Sequence, residues 1–421
     1  MISFVHLSDI HFGKSSDDPY DYGKDLRNEL LLDIANNYVK IPGTPQGILV
    51  CGDVAFSGQG AEYRIASEFL ANICEKIGVE HSAVYCVPGN HDIDQTIPKN
   101  EVAVKLLQDY LESAPEQKRF DHILAQTMRG PYSSRILMLP LSAYHEQFAS
   151  KYNCGLNSQQ LYWKSSISLN DKYDIQMVGM NSVIISNADD HKQGRTSERL
   201  MRLASFQLPQ RKQNTILMTL CHHPPQCWND PDNKFQSILN DRVAVQLYGH
   251  KHELRLEANQ KSLIISSGAT QPPYLEAGWV PTYNWITLDV QTCQNKECLR
   301  VDIYPRIYDT HLNKFVDNTM VTCEKRSYLL PLDVKHIQTS CADIANSAVD
   351  QPSPIWGKTF AYAFMNLPPT NRDRILKEMS LSEPEDQGKQ HYEYVAEVVQ
   401  RAEQRGCVDE LLKRVSNCEG R

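Results

Sequence analysis

The sequence predicts an α/β protein, with helices packed over a sheet, a helical insertion, and a small C-terminal all-α domain. Three observations predict this. Short apolar runs rich in β-branched residues alternate with amphipathic stretches over the first two-thirds of the 421 residues, the βαβ rhythm that buries a sheet beneath helices. Residues 95–165 break that rhythm with apolar side chains at helical spacing (Val104, Leu107, Leu111; Leu139, Tyr144, Phe148). Finally, a polar stretch at 336–355, holding Pro352 and Pro354, reads as a linker, and the chain is helical beyond it. This divides the chain into a catalytic-sized domain at 1–335, a linker at 336–355 and a helical domain at 356–421, since single cores rarely exceed ~250–300 residues.

In chain order, residues 2–8 (ISFVHLS) form a buried strand, 22–40 a helix, 47–52 a strand, 60–77 a helix and 83–88 a strand. After the insertion, strands resume at 174–181, 214–221, 243–248 and 262–266, and those at 284–290 and 299–304 close the sheet. In the tail, Tyr392, Val395, Ala396, Val399 and Ala402 share one helical face, and Leu411, Leu412 and Val415 form another after a break at Gly406.

Composition narrows the function classes. No apolar run approaches the ~18 residues of a membrane span, and the N-terminus lacks a basic segment and an apolar signal core, so secretion is not expected. The 12 cysteines are scattered without a C-x-x-C pair, and Cys221/Cys227 and Cys293/Cys298 do not fit a zinc-ribbon spacing. Cys51 and Cys86 sit in strand-like runs as small hydrophobes, which points to a reducing, cytoplasmic location. A formal net charge of −8 weighs against a stable duplex binder. An enzyme touching a few phosphates needs only a local basic patch.

Five short motifs carry the chemistry, and four directly follow a predicted strand: Ser8-Asp9-Ile10-His11 closes the first, then come Gly52-Asp53, Gly89-Asn90-His91-Asp92, His222-His223-Pro224 and Gly249-His250-Lys251-His252. In an extended segment residues i and i+2 point the same way, so Asp9 with His11, and His250 with His252, are expected to converge. Strand C-termini place such residues in one crevice. The donor pool of Asp9, His11, Asp53, Asn90, His222, His250 and His252 mixes carboxylate, amide and imidazole with no thiolate, suiting Mn²⁺, Fe or Zn²⁺. Seven donors exceed one tetrahedral ion and suit two ions sharing a carboxylate. Such a pair, ~3.5–4 Å apart, can acidify a water and hold the attacking and leaving oxygens of a phosphate ester. His91 is the candidate proton donor, with Asp92 expected to fix its ring orientation and tautomer.

The ordered set D-x-H, G-D, G-N-H-D, H-H-P and G-H-x-H resembles the calcineurin-like metallophosphoesterases over residues ~1–270. The resemblance implies a four-layer β-sandwich flanked by helices and two divalent ions, Mn²⁺ foremost, with Fe, Zn²⁺ or Ni²⁺ as alternatives. It also implies that Asp9, His11 and His252 hold one ion, Asn90, His222 and His250 the other, and that Asp53 bridges. His91 takes the catalytic histidine's role, and His223 lies outside the ligand set. The segment from Gly52 to Tyr63 (GDVAFSGQGAEY) is similar to the cyclic-nucleotide phosphodiesterase branch, whereas Ser8 to Gly13 (SDIHFG) also resembles the DNA-repair exonuclease branch. The tail from Phe360 to Arg414 is similar to bacterial effector-associated, death-fold-like domains, which implies a protein partner and a role in conflict or antiviral defence. Its bland alternative is a helical cap on the catalytic domain. From residue 351 onward ten Lys and Arg stand against eleven Asp and Glu, so the tail is no basic nucleic-acid arm.

At the periphery, Arg195, Arg199 and Arg202 would share one face of a helix as a guanidinium row for phosphates, or as a solvated face. Arg195 and His223 are therefore candidate substrate contacts. Trp228, Tyr274, Trp279 and Tyr283 are candidate base-stacking or loop-packing aromatics. The expected function is hydrolysis of a phosphodiester in nucleic acid or a nucleotide. The alternatives are a cyclic-nucleotide phosphodiesterase and a non-catalytic adaptor.

Overall fold

The computed structural model describes residues 1–13, 21, 23–188, 190, 199–273, 280–332, 364, 367, 369–382, 398, 401–402, 405–407, 410–411 and 413–415. The chain divides into two compact units, Met1–His336 and Ile337–Arg421.

The first unit opens with β1 (Ile2–Leu7), α1 (Lys24–Asn37), β2 (Thr44–Val50), α2 (Gly60–Ile77) and β3 (Val84–Cys86). All six residues of β1 are buried, as expected of a central strand covered on both faces. Helix α2 starts at a capping box, with the Glu62 side chain returning to the Gln59 N–H, and stops at Gly78 in the left-handed conformation (φ 73°). The chain is then helical through α3 (Thr96–Asn100), α4 (Val102–Glu112), α5 (Gln117–Arg129), α6 (Ser133–Met138) and α7 (Ser142–Gln147). The remaining elements are β4 (Trp163–Ser168), β5 (Asp174–Gly179), β6 (Thr215–Leu220), α8 (Lys234–Arg242), β7 (Val245–Tyr248), β8 (Arg255–Ala258), β9 (Leu263–Ser266), β10 (Thr282–Cys293), β11 (Lys296–Asp309), β12 (Lys314–Asp317) and β13 (Ser327–Pro331).

These strands make two sheets, as the β-sandwich implied by the resemblance requires, where the βαβ rhythm alone spoke of a single sheet. The first runs β12-β11-β10-β1-β2-β3, with β13 also paired to β11; the second runs β4-β5-β6-β7-β9-β8. Side-chain alternation explains how the second sheet is covered. Ile175, Met177, Ile216, Met218, Leu220, Val245 and Leu247 share one core with Phe4 and Val50 of the first sheet. Their neighbours Val178, Leu217, Tyr248 and Ile264 face the other way, against Trp228 and against Phe235 and Leu239 of α8. The late strands join the first sheet, where β10 pairs antiparallel with β1. The β10–β11 hairpin turns through Gln294 and Asn295, both at positive φ, as a two-residue turn requires.

Strands β4, β8, β12 and β13 were not expected from the sequence. They are short, and their faces alternate or are exposed; β4, WKSSIS, buries mainly Trp163 and carries polar side chains between. That tryptophan nevertheless ties the sheets together, because its indole N–H donates to the Cys86 carbonyl at the end of β3 (2.7 Å). The indole fits because its β5 neighbour is Gly179, where a Cβ would lie 2.0 Å from the ring.

In the second unit, α9 (Pro369–Glu378) is the helix described in full. Phe364, Leu367, Ile375, Leu376, Leu381, Val398, Ala402, Leu411 and Val415 bury one another there, and Gly406 is left-handed (φ 63°). The linker beyond residue 336 and Tyr392, Val395, Ala396, Val399 and Leu412 lie outside the described residues. Among the described residues no helix is long and apolar enough to cross a membrane.

Removing the Trp163 side chain opens a large void and breaks the inter-sheet hydrogen bond. Trp163→Ala is expected to lose about 3–5 kcal/mol, read as a lower denaturant midpoint of the first unit. Trp163→Phe, which keeps most of the volume, should lose about 1–2 kcal/mol.

Candidate metal centre

The five motifs meet at the strand ends, and a single carboxylate oxygen lies at their centre. Asp53, after β2, is 2% exposed. Its Oδ2 is 3.4 Å from His11 Nε2 and 3.4 Å from His222 Nε2, while its Oδ1 accepts the His91 backbone N–H (2.8 Å). His222, after β6, also approaches Asn90 Oδ1 with Nε2 (3.1 Å). Asp9, after β1, accepts the Ser8 hydroxyl (2.5 Å) and the His250 backbone N–H (3.1 Å) on Oδ2. Its Oδ1 faces His252 Nε2 at 3.4 Å. All seven expected donors thus come together, those of motifs one to three from the first sheet and those of motifs four and five from the second.

The local backbone achieves this in an unexpected way. The paired residues do not converge from an extended segment. Asp9 (φ 52°), His11 (53°), Asp53 (50°), His250 (72°) and His252 (51°) are all left-handed. For side chains with a Cβ this costs of order 1–3 kcal/mol each. The turns are held by a ladder between two loops: Asp9 N to Gly52 O, Ile10 and His11 N to Asp53 O, and Phe12 N to Val54 O, all 2.9–3.0 Å. Close approach also requires Gly89, where a Cβ would sit 2.0 Å from Asp53 Oδ1.

Backbone carbonyls aim three of the imidazoles. A carbonyl can only accept, so the ring nitrogen facing it is the N–H. His222 Nδ1 donates to Cys51 O (2.8 Å), His91 Nδ1 to Phe56 O (2.8 Å), and His11 Nδ1 lies 3.4 Å from Gln271 O. This arrangement turns Nε2 of each ring toward the centre, as in metal-ligating histidines.

The electrostatics follow from burial opposed by close opposite charge. Burial alone would raise Asp53, but the charges and hydrogen bonds of His222 and His11 hold its carboxyl well below the usual range. Burial likewise opposes ionisation of Asp9, and the His252 hydrogen bond and His222 charge bring it below the ordinary value. Burial would lower His222, yet the charges of Asp53 and Asp9 carry it up to about 9. His91 moves the other way, lowered chiefly by burial against the opposing charge of Asp53.

The donors fit divalent cations. Groups of ligand atoms within 4.8 Å of one another are Asp9/His11/His252, Asp9/Asp53/His222, His11/Asp53/His91 and His222/His223/His250. They are oxygen and nitrogen atoms only. Asp9 Oδ1 is buried and faces only His252 Nε2, at 3.4 Å, which leaves it acceptor capacity that a cation would use.

Four expectations change. Asp92 does not orient the His91 ring, which the Phe56 carbonyl holds instead. The Asp92 carboxylate is fully buried and accepts the N–H groups of Val54, Ala55 and Gly89 and the Tyr63 hydroxyl. Burial, then the Asp53 charge, push it up to about 7 against those N–H groups. His223 is not open to substrate. It is 1% exposed, faces Ser182 Oγ at 2.9 Å and packs its ring 4.4 Å from that of His250. Arg199 and Arg202 do not lie on a helix. Arg199 is buried between Asp190 and Glu112, and Arg202 donates to the Ala114 carbonyl, because the chain there is irregular. Arg195 lies outside the described residues. Trp228 and Tyr283 are core residues, the first bonded to the His223 carbonyl and the second to Asp33. Tyr274 and Trp279 lie outside the described residues.

Sequence reasoning missed Ser8, Phe56, Cys51 and Gln271. Ser8 adjoins a motif and its hydroxyl was a readable signal. The other three act through carbonyls, which no side chain announces.

With this geometry in place, the comparisons with known proteins are specific on family. The family of calcineurin-like phosphoesterases matches over residues 2–254. Similar solved structures include Vacuolar Protein Sorting 29 from Cryptosporidium parvum (13% identity, 79% of this chain and 98% of that chain, TM-score 0.34). Vps29 from Chaetomium thermophilum is another (10% identity, 79% and 99%, TM-score 0.29). So is GAP50, the anchor in the inner membrane complex of Plasmodium (10% identity, 84% and 98%, TM-score 0.35). No curated protein matches the sequence.

Asp92→Asn would present an amide N–H₂ to backbone donors in a site closed to water. We expect a loss of about 2–4 kcal/mol in chemical denaturation, against about 1 kcal/mol for Tyr63→Phe, which removes one donor only.

Proposed function

The chain belongs to the calcineurin-like phosphoesterase family, and from that premise we propose that it is a dinuclear phosphodiesterase acting on a nucleotide or nucleic acid. Asp9, His11 and His252 would hold one divalent cation and Asn90, His222 and His250 the other, with Asp53 shared and Mn²⁺ the favoured metal. The observation that carries this reading is the Asp53 Oδ2 atom, 3.4 Å from imidazoles of both groups. When bound, such cations supply Lewis-acid activation of a water and of the phosphoryl oxygens.

The chain's own part is proton delivery and positioning. The Phe56 carbonyl holds one proton on His91 Nδ1, so in the doubly protonated ring Nε2 is the atom that hands its proton to the leaving oxygen and returns to the neutral tautomer. Burial weakens the hold of the imidazole on that proton, which favours its transfer. Asp92 acts through the backbone: it locks Val54 and Ala55, and with them the loop carrying Phe56.

We further read the second unit as a docking module for a protein partner in a bacterial defence system. Its separate apolar core around Phe364, Ile375 and Val398 supports independent packing. The buried thiols of Cys51, Cys86 and Cys221 support a cytoplasmic setting.

His91→Ala is expected to lower kcat ~10²–10⁴-fold while metal content, measured by elemental analysis, stays near that of the parent. Parallel loss of both would make His91 structural. Asp53→Ala should empty both metal positions in the same measurement. Substrate class is read by incubating the Mn²⁺-loaded protein with plasmid, oligonucleotide and cyclic nucleotide. Polymer turnover that falls steeply with salt identifies a nuclease, and salt-indifferent turnover of the cyclic nucleotide identifies the branch that residues 52–63 resemble. Metal-loaded protein inert on all three and on an aryl phosphodiester would leave the adaptor reading.

A further inference from the structure

Phe56 is an apolar side chain left 51% exposed beside the catalytic histidine. Its ring lies 5.4 Å from that of His91 at an interplanar angle of 36°, and 6.3 Å from that of His11 at 76°. It therefore flanks two imidazoles whose nitrogen atoms group with Asp53 at the centre.

This exposure belongs to an anchored loop. The Phe56 N–H donates to the Phe12 carbonyl (2.9 Å). On one side Val54 and Ala55 are held by the buried Asp92 carboxylate (3.2 and 2.9 Å). On the other, the buried Glu62 takes the Ser57 N–H and hydroxyl (3.0 and 2.7 Å) and the Gln59 N–H (3.0 Å). The Phe56 carbonyl fixes His91 itself. The backbone that carries the ring and the carbonyl that holds the proton donor are thus fixed together, and the apolar ring is left half exposed beside a charged centre.

We propose that Phe56 is the platform on which the substrate lays a flat aromatic group, a nucleobase, beside the phosphate. The proposal rests on the phosphodiesterase reading of the same site and names what that substrate carries. A pre-set ring loses little conformational freedom when a base stacks on it, and such stacking tolerates any base, because each has a π face. The charged centre recognises the phosphate, and Phe56 separates nucleotides from phosphate esters of similar charge that lack a ring.

The test is binding of two ligands that differ only in the base, adenosine 5′-monophosphate and ribose 5-phosphate, to full-length Mn²⁺-loaded protein by calorimetry. We expect the nucleotide to bind about tenfold more tightly. Phe56→Ala should bring the two affinities together, the loss falling on the nucleotide. Phe56→Trp should keep or widen the preference. Equal affinities in the parent protein, a preference that survives Phe56→Ala, or failure of both phosphates to bind would overturn the proposal. Turnover of bis(p-nitrophenyl) phosphate, followed in parallel, reports separately on the phosphodiesterase reading. An active enzyme with no base preference refutes the platform alone, and a base preference without turnover refutes the reaction alone.

Discussion

The structure depends on keeping two carboxylates, Asp9 and Asp53, charged where water does not reach them. Each is nearly or fully buried, and withdrawing a carboxylate from water costs several kcal/mol even after relaxation. The compensation is local and specific. Ser8 and the His250 N–H serve Asp9, and the His91 N–H serves Asp53. Imidazoles lie around both. Against their burial, the Asp53 charge raises two of those rings, His222 to about 9 and His11 above its ordinary value, while burial lowers His91. The same arrangement is ready for divalent ions, which need deprotonated ligands. Buried carboxylates ringed by imidazole nitrogens are the donor chemistry that could hold divalent cations.

That requirement explains the backbone. Five of the seven donors are left-handed non-glycine residues, a concentration of strain that a loop free in solvent would relax. Here the loop after β1 and the loop after β2 are hydrogen-bonded to each other along their length. Further ties run from Thr270 and Gln271 to Ser8 and Asp9, and from Gly249 to His222. The irregular segments are thus cross-braced like sheet, and the strain is held by the strands behind them. Glycine at 89 belongs to the same logic, since any side chain there would displace the Asp53 carboxylate.

Much of this was legible in the sequence, for identifiable reasons. The strands β1, β2, β3, β5, β6, β7 and β9 are largely buried and so read as apolar runs, and a motif follows five of them, β1, β2, β3, β6 and β7. Helix α2 carries its own start and stop signals in Gln59, Glu62 and Gly78. What was hidden was tertiary in origin. Alternation along β5, β6 and β7 serves two different layers, so a run of apolar residues did not reveal that there are two sheets. The spacing of Asp9 and His11 suggested an extended segment because no residue there announces a left-handed turn. Arg199 and Arg202 have helical spacing in an irregular segment, and their charges are consumed by Asp190, Glu112 and a carbonyl. Phe56 entered the sequence reading only as one letter of the Gly52–Tyr63 segment. Its importance comes from a carbonyl that holds His91 and a ring that stays outside the core.

The site straddles a seam, and this makes its chemistry sensitive to packing far from it. Asp9, His11, Asp53, Asn90 and His91 follow strands of the first sheet, while His222, His250 and His252 follow strands of the second. The distance between Asp53 and His222 is therefore an inter-sheet distance. The shared core of Phe4, Val50, Met177, Met218 and Leu247 sets it, helped by the Trp163 bond from β4 to β3. Close-packed interiors transmit small displacements because they have little free volume to absorb them. A core substitution that moved one sheet by a fraction of an ångström would move half the donors relative to the other half. The hydrophobic core is in this sense part of the site: it sets the spacing across which one carboxylate faces both clusters.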